Sequence, residues 1–213
     1  MNTNELVIEP ERKVDFILKA AQKRLGLYGY EKTTMQEIAA DIAMSKAALY
    51  YYYPDKESLF KAVIENEQKE FNLLLERKMA ELNDADRMIM ELVELRHTHF
   101  RNFLNLSKFR LSDHHKMKPL LKELYEKMRG IETGILTTAF LKGKASGIFN
   151  FDDATELAHL FSDLLQGIRI MQMRRMTTLE MTADENDRLI SMLRKAANLF
   201  INGLKYNNIQ ESV

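Results

Sequence analysis

Apolar residues recur along this chain at three- and four-residue spacing, in separate stretches divided by 8 glycines and 3 prolines, which is the pattern of amphipathic helices. Val14, Ile17, Leu18, Ala21 and Leu25 form the stripe of a first helix stopped by Gly26 to Gly29. Met35, Ile38, Ala39 and Ile42 form a second, opened by Thr34 and Glu37 at capping-box spacing. Ser45 caps a third, short helix, and Asp55 caps a long one from Lys56 to about Leu82. Asn83-Asp84 starts another that reaches about Leu104, and residues 105–118 read as a broken or short-helix region. Pro119 suits the first turn of a helix lasting to Lys142. After a loop over 143–150, Asp153 with Glu156 and Thr182 with Glu185 open the last two helices, roughly Asp153–Met176 and Ala183–Leu204. The expectation is an all-α chain of about nine helices with no internal repeat and no low-complexity linker.

The stretch TTMQEIAADIAMSKAALYYYYPDKESLF, residues 33–60, carries the most chemistry. The turn near Ala43 and Met44 leaves about three residues between two short helices, as a helix-turn-helix requires. Ala47 and Ala48 have no bulk, so the second helix can approach base edges closely, and a methyl can meet the thymine methyl in the major groove. Lys46 lies in the first turn, beside amides that attract phosphate. Successive helical residues point about 100° apart, so Tyr50, Tyr51, Tyr52 and Tyr53 cannot all be buried. A ring packed on the domain with its hydroxyl turned outward can donate to a phosphate oxygen. Lys56, in the first turn of the next helix, is placed to share a phosphate with free amides.

Val14 to Phe60 resembles the DNA-binding domain of the TetR family of bacterial transcription regulators. Ile17-Leu18-Ala20-Ala21, Gly29-Tyr30, Thr33-Thr34-Met35, Ile38-Ala39, Ser45-Lys46, Leu49-Tyr50-Tyr51-Tyr52 and Lys56-Glu57-Ser58-Leu59 follow the family pattern in order and spacing. The resemblance implies that Ser45 to Tyr52 is the recognition helix. It further implies that Lys46, Ala47 and Ala48 face bases, that Thr34, Tyr50, Tyr52 and Lys56 hold phosphates, and that Tyr51 does either. Two positions depart from the pattern. Ala43 stands where the family usually has glycine, which costs roughly 1 kcal/mol if the turn needs a positive φ; Tyr53 stands where phenylalanine is usual.

Bulk charge adds nothing to this reading. The chain has 31 Lys+Arg against 31 Asp+Glu, and residues 1–60 carry eight basic and nine acidic side chains. Attraction to DNA therefore comes from local placement, and non-specific binding should be weak and easily salted out. With 213 residues and 46% hydrophobic content the chain can bury one sizeable core or two small ones. The expected organisation is a three-helix DNA-binding domain over 1–60 and an effector-binding and dimerisation domain over 61–213. No apolar run reaches membrane-spanning length, the N-terminus lacks the apolar segment of a signal peptide, and there is no cysteine; the expected setting is the cytoplasm, without membrane contact.

The last two helices are apolar over so much of their circumference that they need cover on two sides. The resemblance implies a homodimer formed by a four-helix bundle of these helices, with Leu160, Leu164, Gly167, Met192 and Ala196 at the interface. The resemblance also places a small-molecule effector in the middle region, where His97, Phe100, Phe103 and Met117 are the candidate lining residues. His97 and His99, two apart on a helix, point to different sides and cannot chelate together. The expected function is a repressor released from double-stranded operator DNA by the effector, with ligand-responsive activation as the alternative and with no catalytic residue, metal or cofactor.

One enzymatic rival has to be weighed. Glu94 with His97 and Glu156 with His159 are two Glu-x-x-His pairs on predicted helices, and di-iron bundles use two such pairs together with a Glu from each of two further helices. Against it, Glu156 is already explained as a helix-cap partner, and no further Glu stands out on a buried face.

Overall fold

The computed structural model describes residues 10–107, 114–175 and 181–206, with the side chains of 10, 11, 103–107, 114–121, 124, 125 and 206 outside that description. Eight helices make up these residues: α1 (Pro10–Lys32), α2 (Met35–Asp41), α3 (Lys46–Tyr52), α4 (Lys56–Ala80), α5 (Ala85–Ser107), α6 (His114–Ala145), α7 (Ala154–Arg175) and α8 (Ala183–Tyr206). Every expected cap forms. Thr34 and Glu37 exchange both hydrogen bonds of a capping box at α2, as do Thr182 and Glu185 before α8. Asp55 accepts from the Ser58 N–H, and Asp84 from the Arg87 N–H. Asp153 accepts from the N–H groups of Thr155 and Glu156. Each cap satisfies backbone donors that the first turn leaves open.

One boundary is as expected and one differs. The first helix is interrupted within the Gly26 to Gly29 stretch, by a kink at Gly29, whose φ of 79° only glycine adopts without strain. The buried Thr33 hydroxyl donates to the Gly29 carbonyl at 2.7 Å and closes this corner. On the far side of the molecule, α6 begins at His114, so Pro119 is its sixth residue rather than part of its first turn. The ends of α5 and α6 thus take up most of the region read as broken, apart from 108–113, which lie outside the described residues. Among the described residues eight helices stand, where about nine were expected for the chain.

Two apolar clusters form. Ile17, Leu18, Ala21, Leu25, Met35, Ile38, Ala39, Leu49, Leu59, Phe60, Val63 and Ile64 join α1, α2, α3 and the start of α4. The larger cluster joins α4 to α8 around Phe140, whose ring lies within 6.3 Å of those of Phe149, Phe151, Phe161 and Phe200. Gly143 permits this, because a Cβ there would sit 2.1 Å from the Phe149 ring. The loop after α6 is anchored by the Asn150 N–H donating to the Leu204 carbonyl of α8 at 3.1 Å. α4 runs between the clusters, and α1 packs against both α4 and α5. The helix-turn-helix unit therefore touches the helical domain through α1 as well as through the shared helix.

Candidate nucleic-acid interface and interior polar site

α3 is held to the protein by a single buried residue, Leu49, which is fully inaccessible. Much of its remaining surface is therefore open. Ser45, Lys46, Ala47, Tyr50 and Tyr51 are exposed, while Ala48 and Tyr52 are half-buried. The Ser45 hydroxyl accepts from the Ala48 N–H at 3.1 Å. Tyr51 is 86% exposed, and Tyr52 meets it edge-on at 5.5 Å while packing against the small cluster with Tyr53. The four tyrosines thus divide as helical geometry demands, two outward and two against the core. Lys46 Nζ lies 5.7 Å from the centre of the Tyr50 ring, a cation–π placement that orients both side chains.

The turn that sets α3 against α2 centres on Ala43, which has φ 51°, the left-handed region. Glycine's absence there leaves a strain that the turn retains. Arg24 on α1 fixes the other side: its guanidinium donates to Asp41 at 2.6 and 2.9 Å, lies 3.3 Å from Glu37, and stands over the Tyr28 ring at 5.2 Å. Hydrogen bonds from Arg24 hold the Asp41 carboxyl below its ordinary value; those from Thr34 do the same for Glu37. Thr34, the exposed N-cap of α2, already accepts from the Glu37 N–H through its hydroxyl.

Lys56 differs from expectation. Its Nζ donates to the Tyr30 carbonyl at 2.8 Å and to the Thr33 carbonyl at 3.1 Å, and sits 4.2 Å over the Tyr30 ring. An ammonium has three donors, so one N–H remains for a phosphate. Its main engagement in this structure is to close the corner between α1 and α2, and no local pattern signals that two carbonyls converge there.

The interior of the helical domain contains a polar layer that periodicity alone did not reveal. Gln68, Arg96, His97, Thr133, Arg169 and Gln172 are buried. Arg96 is ion-paired with Glu132 of α6, and its guanidinium also meets His99 Nδ1 at 3.3 Å. His99 stacks on Phe71 of α4, with centroids 4.1 Å apart; burial, with the Arg96 charge added, pushes its pKa down to about 3. His97 faces the opposite way, with Nε2 3.0 Å from Asn186 Oδ1 of α8. The two histidines do point apart, as their spacing required. Phe100 is buried in the large cluster, while the side chains of Phe103 and Met117 lie outside the described residues. One signal for the layer was available: Ala158, Phe161, Leu165, Arg169 and Gln172 continue one inward stripe of α7, so two polar residues occupy core positions.

The Glu-x-x-His pairs do not meet. Glu94 is paired with Arg194, and Glu156 and His159 are exposed. Glu132 corrects the expectation that no further Glu lies on a buried face, but its partner is Arg96. Among the described residues no three His, Asp or Glu side chains converge as metal ligands.

Leu160, Leu164 and Gly167 lie along an outward stripe of α7 and Met192 faces outward on α8, while Ala196 packs against the edge of the large cluster. Leu160 is 59% exposed, Leu164 42% and Met192 41%; Gly167 has open space beyond it, and Ala196 is half-buried. Ala197, by contrast, faces inward and is fully buried.

A short helix projecting from a three-helix unit by one buried leucine, on an all-helical body, defines a helix-turn-helix DNA-binding protein. The model of bacterial regulatory proteins of the tetR family matches residues 17–63. The chain is similar to a transcriptional regulator of known structure from Cytophaga hutchinsonii, with 36% identity, a TM-score of 0.84, and coverage of 91% of this chain and 98% of that one. It is 27% identical over 158 residues to the transcriptional repressor NicS of Pseudomonas putida, covering 71% of this chain and 73% of NicS. It also shares its fold with a regulator from Saccharomonospora viridis solved in complex with choline, at 20% identity, a TM-score of 0.67, and coverage of 90% of this chain and 96% of that one. The chain belongs to the TetR family, and it is a DNA-binding transcription regulator. No helix among the described residues is long and apolar enough to cross a membrane.

Proposed function

We propose that this regulator is a homodimeric cytoplasmic repressor, not an enzyme, released from its operator when a small molecule enters the helical domain. Residues 1–60 then form the DNA-binding domain and 61–213 the effector-binding and dimerisation domain. Ser45, Lys46, Ala47 and Ala48 meet the major groove, and Thr34, Tyr50, Tyr51, Tyr52 and the remaining Lys56 N–H meet phosphates. A seven-residue recognition helix reads few bases, so a second copy spaced by one helical turn of DNA is needed for useful affinity. The outward stripes of α7 and α8, with Leu160, Leu164, Gly167 and Met192 and with Ala196 at their edge, supply the self-complementary face.

The observation that carries effector control is the buried polar layer. The His97 Nδ1 and Gln68 Nε2 atoms are inaccessible and have no hydrogen-bond partner among the described residues. A buried group left unmatched costs about 1–3 kcal/mol, and a ligand that completes such bonds recovers it. The choline complex of the Saccharomonospora viridis regulator supports a small-molecule site on this fold, and the similarity to NicS supports repression.

The test is a two-way titration. A candidate metabolite that lowers operator affinity about 100-fold, worth about 2.7 kcal/mol, must itself bind about 100-fold more weakly to the operator complex, because coupling is reciprocal. A ligand whose affinity saturating operator leaves unchanged is not the effector.

A further inference from the structure

His97 is the buried side chain whose hydrogen bonding defines a ligand most closely. It is 5% exposed. The Asn186 amide is oriented by its Nδ2 donating to Asp187 at 3.1 Å, so Oδ1 faces the imidazole and accepts from Nε2 at 3.0 Å. That bond fixes the proton on Nε2 and leaves Nδ1 as a bare acceptor. Nδ1 is inaccessible and has no hydrogen-bond partner among the described residues. Native interiors rarely leave such an atom unmatched without a reason.

The surroundings select the sign of charge. Burial and the positive charges of Arg169 on α7 and Arg101 one turn along α5 all oppose a proton on His97, while the Asn186 hydrogen bond and Glu94 favour one. Glu94 is itself paired with Arg194. Phe100, buried one turn along on the same face of α5, provides apolar cover. A field that disfavours imidazolium also disfavours an ammonium group placed against Nδ1.

We propose that the effector is a neutral or anionic molecule that presents a hydroxyl or N–H donor to His97 Nδ1, and that cationic ligands do not fill this site. The inference rests on the effector reading above and narrows it to a chemical class. A ligand that places a hydroxyl or N–H against Nδ1 satisfies the buried acceptor, whereas a donor-less ligand leaves it stranded.

The experiment uses the full-length protein with ¹⁵N-labelled histidine and a library divided among neutral alcohols and amides, hydroxy-carboxylates, donor-less ethers and esters, and primary or quaternary amines. Operator affinity is read by fluorescence anisotropy and His97 by its imidazole nitrogen resonances. The expected result is that the members lowering operator affinity are alcohols, amides or hydroxy-carboxylates, that they move the Nδ1 resonance upfield, and that Nε2 stays protonated. His97→Phe then weakens their binding about tenfold, the worth of one hydrogen bond, and His97→Gln, which keeps an acceptor, restores part of it. Operator release by amines, or by donor-less members, or with Nδ1 unmoved, overturns this inference and leaves effector control standing. A library in which no member changes operator affinity overturns effector control itself. The resonance shift is measured on the wild type, so the outcome does not depend on either variant folding.

Discussion

Ala43 holds φ at 51°, where an L-residue is less stable by about 1–2 kcal/mol. Glycine there removes the steric cost but gives the unfolded chain more freedom, worth about 0.4–1 kcal/mol. Ala43→Gly should therefore stabilise the protein by about 0.5–1 kcal/mol in urea denaturation without weakening operator binding. A lowered midpoint would show that the turn carries no strain. His99 gives a second prediction at this scale. Its pKa is about 3 in the fold against an ordinary 6.5, so below pH 6.5 the unfolded chain takes up a proton that the folded one refuses. Stability then falls as pH drops from 6.5 toward 3. The lowered carboxylates Glu37, Asp41, Asp55, Glu123 and Glu185 add their own loss only below their ordinary values of 3.8–4.5. Melting curves between pH 7.5 and 5 should show a decline that His99→Leu flattens in part, with His97 acting in the same direction and Glu67, whose pKa burial raises, opposing it; an identical slope in the variant would assign the decline elsewhere.

At the scale of elements, α3 owes its usefulness to how little of it is needed to hold it. Leu49 is its one fully buried anchor, with Tyr52 packed beside it, so changes on the outer face should leave the fold intact. Lys46→Ala is expected to weaken operator binding about tenfold or more, the worth of a charged hydrogen bond, and Tyr50→Phe about fivefold, since it keeps the ring and loses only the hydroxyl. Circular dichroism should be unchanged in both. Wild-type operator affinity in both variants would move the DNA-contacting face elsewhere on the domain. α2 is placed with equal economy: the capping box starts it, and Arg24 ties its end to α1 through Asp41. The box was visible as Thr34 and Glu37 at fixed spacing, but the Arg24–Asp41 pair, 17 residues apart, belongs to the angle between two helices and has no local signature.

For the whole molecule, coupling between an interior ligand and the DNA surface has two material routes, the shared helix α4 and the packing of α1 on α5. α5 bears Arg96, His97 and His99, so the helix that carries the polar layer also touches the DNA-binding unit. Assembly is tested at this scale too. Leu164→Glu or Met192→Glu should give monomers by light scattering and abolish specific DNA binding, because a carboxylate buried unpaired in a helical interface costs more than rim contacts return. Dimers persisting in both would place the interface on another face. The outward stripes themselves were legible before the fold, since Leu160, Leu164 and Met192 exceed what one buried face of a helix accommodates.

The sequence by itself determined the local features: most helix positions, their caps, the turn at Ala43 and the division of the tyrosines. Each depends on neighbours within about four residues, where backbone donors, side-chain caps and helical periodicity act directly. Even there the stretch from Gly26 to Gly29 left the position of the kink open, because either glycine permits a break, and packing selects Gly29. The tertiary structure alone decided which long-range partners meet. It turned Lys56 onto the Tyr30 and Thr33 carbonyls, brought Glu132 to Arg96, and set Asn186 of α8 against His97 of α5, 89 residues away. Those contacts are fixed by interhelical angles and distances, which follow from the summed packing of two cores and are written at no single stretch of the chain.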